Sequence, residues 1–268
     1  VCETIALQMG VRGLLNIQLA LYMEKIYVLE VNPRSSRSVP FVSKANGVSL
    51  AHAGTLLALG QNLESLCLLG NACKTEQVAV KFPVFPFAKF LDSVPRQGPE
   101  MRSIGEVMSV ADSFPAALAK SFLAAGFLLK RAGRILILTD RKLKDSVAEL
   151  CRVLQSELGL RPTLVVAAVG GDVLASDEGC FDVYQAGEGP KALAGECGLG
   201  QVDPSESAAC TLVLCDRQST ELKPLICKLH SMSVSQKTPF ILSEQLFEAW
   251  GRALFAVEPD AIVSPLKR

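Results

Sequence analysis

The sequence has no surplus of charge of either sign. Its 268 residues include 27 Lys or Arg and 27 Asp or Glu, so the formal net charge at pH 7 is +0 when histidine is neutral. Proteins that bind nucleic acid or an anionic membrane surface usually carry a basic excess. We therefore expect no nucleic acid and no membrane among the partners of this chain.

Long hydrophobic runs and paired cysteine motifs are also absent. No apolar stretch reaches the roughly 18 to 20 residues that a membrane-spanning helix needs, and the first residues lack the basic and apolar regions of a secretory signal. The nine cysteines are an odd number without a CxxC spacing, so we interpret them as reduced core thiols rather than disulfides or zinc ligands. These features predict a cytoplasmic protein.

Apolar residues, in contrast, are plentiful. Hydrophobic residues make up 49% of the chain, which is enough for one large or two medium hydrophobic cores. The chain opens at Val1 within a helix-like pattern, and we expect it to be part of a longer polypeptide. The pattern changes near Arg131, which predicts two domains, residues 1–131 and residues 132–268.

The first predicted domain begins with an antiparallel hairpin. Two β-rich runs, LLNIQLALYM and KIYVLEV, flank a short polar turn that we place at Glu24 and Lys25. Helices are predicted over residues 49–59 and 115–125, each followed by a glycine. Between them, VAVKFPVFPFAKF is interrupted by prolines, which predicts an edge strand or an irregular extended segment.

From Gly133 onward, short apolar strands alternate with amphipathic helices. RILILT precedes KLKDSVAELCRVLQSEL, TLVVAAV precedes a glycine-rich turn, CTLVLCD precedes TELKPLICKLHSM, and TPFILS precedes EQLFEAWGRALF. Such strands are typical of a parallel sheet covered on both faces. The predicted fold class is α/β: an α+β part with the antiparallel hairpin, followed by a doubly wound parallel-sheet domain.

The end of the second hairpin strand is unusually polar. Glu30 and Asn32 point to one face because side chains alternate along a strand, and Gln18 on the partner strand joins them if the register allows. A carboxylate and two amides carry too little charge to hold Mg²⁺ alone, as expected where phosphate oxygens complete the coordination. Arg34 and Arg37 follow, and guanidiniums bind phosphate oxygens well. This combination predicts phosphoryl transfer.

The same residues have a second interpretation. Glu30 forms a surface ion pair with one of the arginines, and Asn32 starts an Asn-Pro turn. On spacing alone, both interpretations stand.

Two motifs, in the same order, resemble carbamoyl-phosphate synthase large chains. VRGLLNIQLALYMEKIYVLEVNPRSSRSVPFVSKANGVSLA resembles the family's second ATP-grasp unit, and QGPEMRSIGEVM resembles the signature that follows it. The resemblance implies a partial ATP-grasp domain in residues 1–131 and a methylglyoxal-synthase-like regulatory domain in residues 132–268. It implies phosphorylation of carbamate by ATP to carbamoyl phosphate, for pyrimidine and arginine biosynthesis, with glutamine or ammonia as the nitrogen source.

The resemblance also implies site residues and partners. Gln18, Glu30 and Asn32 would bind Mg²⁺ or Mn²⁺, with Gln18 and Glu30 also facing ATP. Arg34 and Arg37 would be catalytic in carbamate phosphorylation. The implied partners are a glutaminase small subunit, the remaining N-terminal part of the large chain and a second copy through the C-terminal domain.

The sequence also departs from the family. The glycine-rich lid over the phosphates lies upstream of this segment in the family, so we expect the isolated chain to be inactive. Phe82 stands where ornithine-activated members have an acid, which argues against ornithine activation. Residues 167–172 lack the family's phosphate-binding threonines, and Tyr184 and Gln185 occupy the stretch of its lysine, which predicts a weakened or lost effector site.

Two classes of function therefore stay open. The first is an enzyme part; the alternative is a non-catalytic regulatory or oligomerisation module with a residual ATP-grasp segment. The remaining candidate residues are interpreted as structural. His52 and His230 lie in helical patterns as core or surface residues, and Phe247, Trp250 and Phe255 recur near helical spacing as packing residues.

Overall fold

The chain forms two compact units, Val1–Val78 and Ala79–Arg268. A computed structural model describes residues 1–66, 76–85, 103–139, 143–166, 182–185, 208–214 and 223–256. Within these ranges, no helix is long and apolar enough to cross a membrane. The compact units divide after Val78, whereas the predicted domain boundary lies between residues 131 and 132. That boundary separates the two family domains that the resemblance implies, and it stays a prediction.

The described part of the first unit contains three helices and a β-hairpin. Its described elements, in chain order, are α1 (Cys2–Gln8), β1 (Asn16–Tyr22), β2 (Lys25–Asn32), α2 (Val39–Asn46) and α3 (Leu50–Ala58). Helix α3 agrees with the helix predicted over residues 49–59. Helix α2 has no counterpart in the prediction, although Pro40 in its first turn and Gly47 at its end, with φ of 70°, are ordinary signals of a short helix.

Strands β1 and β2 form the predicted antiparallel hairpin, with a turn one residue earlier than predicted. Tyr22 pairs with Lys25, so the turn residues are Met23 and Glu24 and not Glu24 and Lys25. Both have positive φ, 45° and 60°, as a two-residue turn needs if it is to match the twist of the strands. The sequence has no Asn-Gly or Asp-Gly pair here to mark the turn. The prediction therefore relied on the polarity of the residues and placed the turn one residue too late.

The second unit contains the remaining described elements, apart from Val78, the first residue of β3, which falls in the first unit. They are β3 (Val78–Val84), β4 (Gly105–Ala111), α4 (Phe114–Ala124), β5 (Arg134–Thr139), α5 (Asp145–Leu158), β6 (Arg161–Val166), β7 (Asp182–Gln185), β8 (Ala208–Val213), α6 (Lys223–Ser235), β9 (Phe240–Ile241) and α7 (Glu244–Phe255). Strands β3 and β4 pair with each other. The other strands form a five-stranded sheet in the order β7-β6-β5-β8-β9, and each neighbouring pair is parallel.

The parallel sheet is covered on both faces. Ile135 and Ile137 of β5 pack into a core with residues of α4, α5 and α7. Leu136 and Leu138, which alternate with them, pack against residues of α6 such as Leu229. Because successive side chains of a strand point to opposite faces, a continuously apolar strand serves two cores. The predicted α/β class with a doubly wound parallel sheet is confirmed.

Phe82 anchors β3 to the core of the second unit. Its ring centroid lies 5.0 Å from that of Phe122 in α4 and 6.4 Å from that of Phe127. Further along the chain, the Arg131 guanidinium donates from Nε, at 3.0 Å, to the Leu254 carbonyl near the end of α7. These contacts explain why residues before 132 belong to the second compact unit. They also give Phe82 a packing role, while its bearing on ornithine activation stays a prediction.

The two histidines of the chain lie in contrasting surroundings. His52 in α3 is exposed, whereas the side chain of His230 in α6 is buried, with 2% of its surface accessible. Its ring lies 5.2 Å from the ring of Phe240 in a T-shaped arrangement. Burial lowers the pKa of His230 below its ordinary value of 6.5, because the charged form loses its hydration.

This lowered pKa predicts that acidification destabilises the second unit. Between the two pKa values the unfolded chain binds more protons than the folded chain, so the stability that neutral His230 provides is present above about pH 6.5 and is lost as the pH falls below it. We expect the free energy of unfolding in urea, followed by the fluorescence of the single tryptophan, to fall between about pH 7 and pH 5.5.

A pair of histidine variants tests whether His230 causes this pH dependence. His230→Gln is expected to flatten the pH dependence of the unfolding free energy in that window, because no other histidine is buried in the described chain. His52→Gln, at an exposed position, is the matched control and keeps it. An equally steep dependence in His230→Gln would contradict the assignment.

Candidate functional site

The predicted oxygen donors meet on one face of the hairpin. Gln18 of β1 and Glu30 of β2 are direct cross-strand partners, and Asn32 pairs with Asn16. Directly opposed residues of an antiparallel pair share a face, as do residues two apart on one strand. The structure therefore places Gln18, Glu30 and Asn32 side by side, as the prediction required of the register.

A hydrogen bond connects two of these side chains. Asn32 Nδ2 donates to Glu30 Oε1 at 2.8 Å. Gln18 and Glu30 are exposed and Asn32 is half-buried, so this face of the hairpin is open to a ligand. The alternative interpretation, a surface ion pair between Glu30 and an arginine, stays a prediction from the sequence.

The donor set suits a cation that is already bound to phosphate. Glu30 brings one negative charge, and Gln18 and Asn32 bring amide oxygens. Among the described residues there is no group of three or more His, Cys, Asp or Glu side chains that could hold a metal ion. Mg²⁺ is usually bound by one or two carboxylates together with substrate phosphates. The residues present therefore fit a nucleotide-bound Mg²⁺ or Mn²⁺ better than a free ion.

A β-bulge lies directly beside Glu30. Gln18 pairs with Glu30, but the next residue, Leu19, pairs with Val28, so Leu29 is an additional residue in β2. Bulges bend a strand and change the direction of neighbouring side chains, and they are common next to functional sites. The alternation of polar and apolar residues did not predict this irregularity.

Asn16 lies on the same face and bonds to Ser36 in the following loop, and both residues are missing from the sequence prediction. Asn16 Nδ2 donates to Ser36 Oγ at 3.3 Å, and the backbone N–H of Ser38 donates to the same hydroxyl at 3.3 Å. The hydroxyl of Ser36 thus connects the start of β1 to the loop that carries the arginines. The period of two along β1 is a signal that could have identified Asn16, since it precedes Gln18 by two residues.

The arginines lie in the loop between β2 and α2. The Arg34 N–H donates to the Asn32 carbonyl at 2.8 Å, which makes a tight turn immediately after the strand. The Arg34 guanidinium donates from Nη1 to the Ser35 carbonyl at 3.0 Å. Arg34 and Arg37 both have exposed side chains. Both arginines therefore lie in the loop that directly follows the face with Gln18, Glu30 and Asn32, which we call the donor face. The Arg34 side chain is bonded to this same loop.

The predicted effector site is only partly within the described chain. Residues 167–172 lie outside the described residues. Tyr184 and Gln185 lie in β7, which is the edge strand of the parallel sheet. The weakening of this site stays a prediction from the sequence.

A comparison with protein families identifies the class of the hairpin region. Residues 1–66 match the family model described as "Carbamoyl-phosphate synthase L chain, ATP binding domain". This match includes β1, β2 and the loop with both arginines. The donor face therefore lies on the segment of the chain that is similar to this ATP-binding domain.

Curated relatives extend the match. The chain is 45% identical over 152 residues to the carbamoyl phosphate synthase large chain of Myxococcus xanthus, which covers 57% of this chain and 14% of that protein. The corresponding large chain of Methanobrevibacter smithii is 42% identical over 174 residues, 63% of this chain and 16% of that protein. That of Rubrobacter xylanophilus is 37% identical over 199 residues, 74% of this chain and 18% of that protein.

These matches confirm the resemblance seen in the sequence. The chain is related to the carbamoyl-phosphate synthase large-chain family, and it spans less than a fifth of the length of these relatives. The match with the Rubrobacter protein covers more residues than residues 1–131 contain. The relationship therefore extends beyond the ATP-binding segment into the second half of the chain.

Proposed function

We propose that this chain is the C-terminal part of a carbamoyl-phosphate synthase large chain and takes part in the phosphorylation of carbamate by ATP. In this reaction a carbamate oxygen attacks the γ-phosphorus, the bond to the β-phosphate oxygen breaks, and carbamoyl phosphate and ADP are the products. The observation that supports this most directly is the shared face of Gln18, Glu30 and Asn32 on a segment that matches an ATP-binding domain.

The polar face of the hairpin provides the groups that such a transfer needs. Gln18, Glu30 and Asn32 would hold Mg²⁺ or Mn²⁺, and Gln18 and Glu30 would also face ATP. When bound, the metal ion withdraws charge from the phosphate oxygens. Arg34 and Arg37, exposed in the following loop, would bind phosphate oxygens and offset the negative charge of the transferring group.

The rest of the enzyme would be supplied by other polypeptide. A glutaminase small subunit would hydrolyse glutamine and deliver ammonia, and the N-terminal part of the large chain would provide the lid over the phosphates. A second copy would associate through the C-terminal unit. The balanced charge of the chain agrees with a cytoplasmic location.

The proposal predicts activity only when the missing part of the ATP-binding domain is restored. The isolated chain is expected to release no ADP in a coupled assay with ATP, Mg²⁺, bicarbonate and ammonia. A fusion that places before Val1 the part of the Myxococcus xanthus ATP-binding domain preceding the matched segment is expected to release ADP in a bicarbonate-dependent manner.

The two assays separate the two functional classes. Bicarbonate-dependent ADP release by the isolated chain would contradict its expected inactivity. A folded fusion that forms neither ADP nor carbamoyl phosphate would favour the alternative, a regulatory or oligomerisation module with a residual ATP-grasp segment.

A further inference from the structure

A side-chain hydrogen bond ties the loop between β2 and α2 back to β1. Asn16 Nδ2 donates to Ser36 Oγ at 3.3 Å, although the two residues are 20 positions apart in the sequence. Asn16 is the first residue of β1 and pairs with Asn32, the last residue of β2. Asn16 and Ser36 are both half-buried. This bond therefore joins the first strand of the hairpin to the loop that carries both arginines.

Ser36 also bonds to the chain on the far side of Arg37. The backbone N–H of Ser38 donates to the Ser36 hydroxyl at 3.3 Å, which closes a serine turn with Arg37 as its central residue. The Val39 N–H donates to the Ser36 carbonyl at 3.1 Å, at the start of α2. A serine hydroxyl has two acceptor positions, and Asn16 and Ser38 use both. The position of Ser36 therefore determines where the Arg37 backbone lies relative to β1.

The two arginines are thus linked to the hairpin in different ways. The Arg34 N–H donates directly to the Asn32 carbonyl at 2.8 Å, so the first arginine is held to the end of β2. The turn around Arg37 is held to β1 through Ser36 and Asn16. Asn16 lies on the donor face, because residues opposed across the hairpin share a face. A polar contact therefore runs from the donor face to the second arginine.

We propose that Asn16 and Ser36 are positioning residues, whose hydrogen bond fixes the separation between the donor face and Arg37. This rests on the proposed function, because it takes the donor face as the metal-binding side and Arg37 as the phosphate-binding side of one site. A metal ion and a guanidinium that act on the same phosphoryl group must be held at a set distance, and a misplacement of about 1 Å lowers a rate by about 100-fold. Neither positioning residue touches the phosphate; both act through Arg37.

Ser36→Ala in the fusion with the restored domain removes the hydroxyl that accepts both bonds. We expect kcat for bicarbonate-dependent ADP release to fall by about tenfold, with the KM for ATP changed by less than about twofold. The KM is kept because Gln18 and Glu30, which would face ATP, are unchanged. Parental kcat in Ser36→Ala would overturn the proposal.

Ser35→Ala is the matched control for this variant. Ser35 is the exposed neighbour of Ser36 in the same loop, and alanine keeps its carbonyl, which accepts from Arg34 Nη1. The same chemical change one residue earlier is expected to leave kcat within about twofold of the parent. An equal loss of kcat in both serine variants would overturn the proposal, since it would show a general sensitivity of the loop.

Asn16→Ala separates positioning from direct metal binding. If Asn16 acts only through Ser36, its replacement lowers kcat about tenfold and the double variant with Ser36→Ala loses no more than either single variant. A loss of about 100-fold in the double variant would overturn the proposal. So would a higher Mg²⁺ concentration for half-maximal rate in Asn16→Ala than in Ser36→Ala, because Asn16 would then be a metal ligand.

Amide hydrogen exchange gives a reading that does not depend on catalysis. The amides of residues 34–38 are expected to exchange at least about threefold faster in the Asn16→Ala fusion than in the parent, because the loop loses its bond to β1. Parental exchange in this variant would overturn the proposal. Faster exchange in a fusion whose parent releases no ADP would support the positioning of the loop and contradict the proposed function. An active parent whose kcat survives both changes would do the reverse.

Discussion

Glu30→Gln in the fusion with the restored domain is expected to lower bicarbonate-dependent ADP release by about 100-fold or more. Glu30 is the carboxylate of the donor face, beside Gln18 and bonded to Asn32. Glutamine has nearly the same shape but no charge, so the site would hold only neutral oxygen donors. A divalent cation on ATP would then lose its charged protein ligand, and the developing negative charge would be less well balanced.

Glu24→Gln is the matched control for this prediction. Glu24 lies in the turn of the same hairpin, away from the donor face, and its replacement removes the same charge from the same small sheet. We expect ADP release to change by less than about twofold. A Glu30→Gln fusion with the activity of its parent would contradict the metal-binding role of Glu30, and an equal loss in both variants would indicate a general effect of charge.

Trp250→Ala is expected to lower the free energy of unfolding of the second unit by about 3 to 5 kcal/mol. Trp250 is fully buried and stacks on Phe247, with ring centroids 5.5 Å apart and an interplanar angle of 28°. It lies on the face of α7 that packs into the core with α5 and the parallel sheet. Removing the indole leaves a large cavity in this core, and the resulting loss of stability is measured by circular dichroism in urea.

Two other variants define the physical cause of this loss. Trp250→Phe is expected to cost less than Trp250→Ala, because it keeps an aromatic ring, and because Trp250 Nε1 is buried without a hydrogen-bond partner among the described residues. Phe255→Ala, at a position of α7 that is 46% exposed, is expected to change stability by less than about 0.5 kcal/mol. A loss in Phe255→Ala as large as in Trp250→Ala would contradict core packing as the cause, since alanine is the best helix former and helix propensity cannot explain either loss.

The helices and strands of the second half could be predicted from the sequence because their apolar residues mark the faces that are buried. RILILT corresponds to Arg134–Thr139, and EQLFEAWGRALF corresponds to Glu244–Phe255. Strands that serve two cores are apolar throughout, and helices that cover them are apolar on one side. The division of the chain into compact units was not readable, since the Phe82 contacts depend on residues far apart in the sequence.

The sequence by itself determined the chemistry of the hairpin edge. The identities and order of Gln18, Glu30, Asn32 and the two arginines specify oxygen donors followed by two guanidinium cations, and the strand period restricts which of them share a face. Residue identity and local periodicity are properties of the chain alone.

The tertiary structure decided the register, the bulge and the position of the turn. The pairing of Gln18 with Glu30, the additional residue Leu29 and the Met23–Glu24 turn depend on two strands meeting. The energy of strand pairing depends on both segments, and a register shift of one residue moves every side chain beyond it to the opposite face of the sheet. Which side chains share a face of the hairpin is therefore determined only by the pairing of both strands.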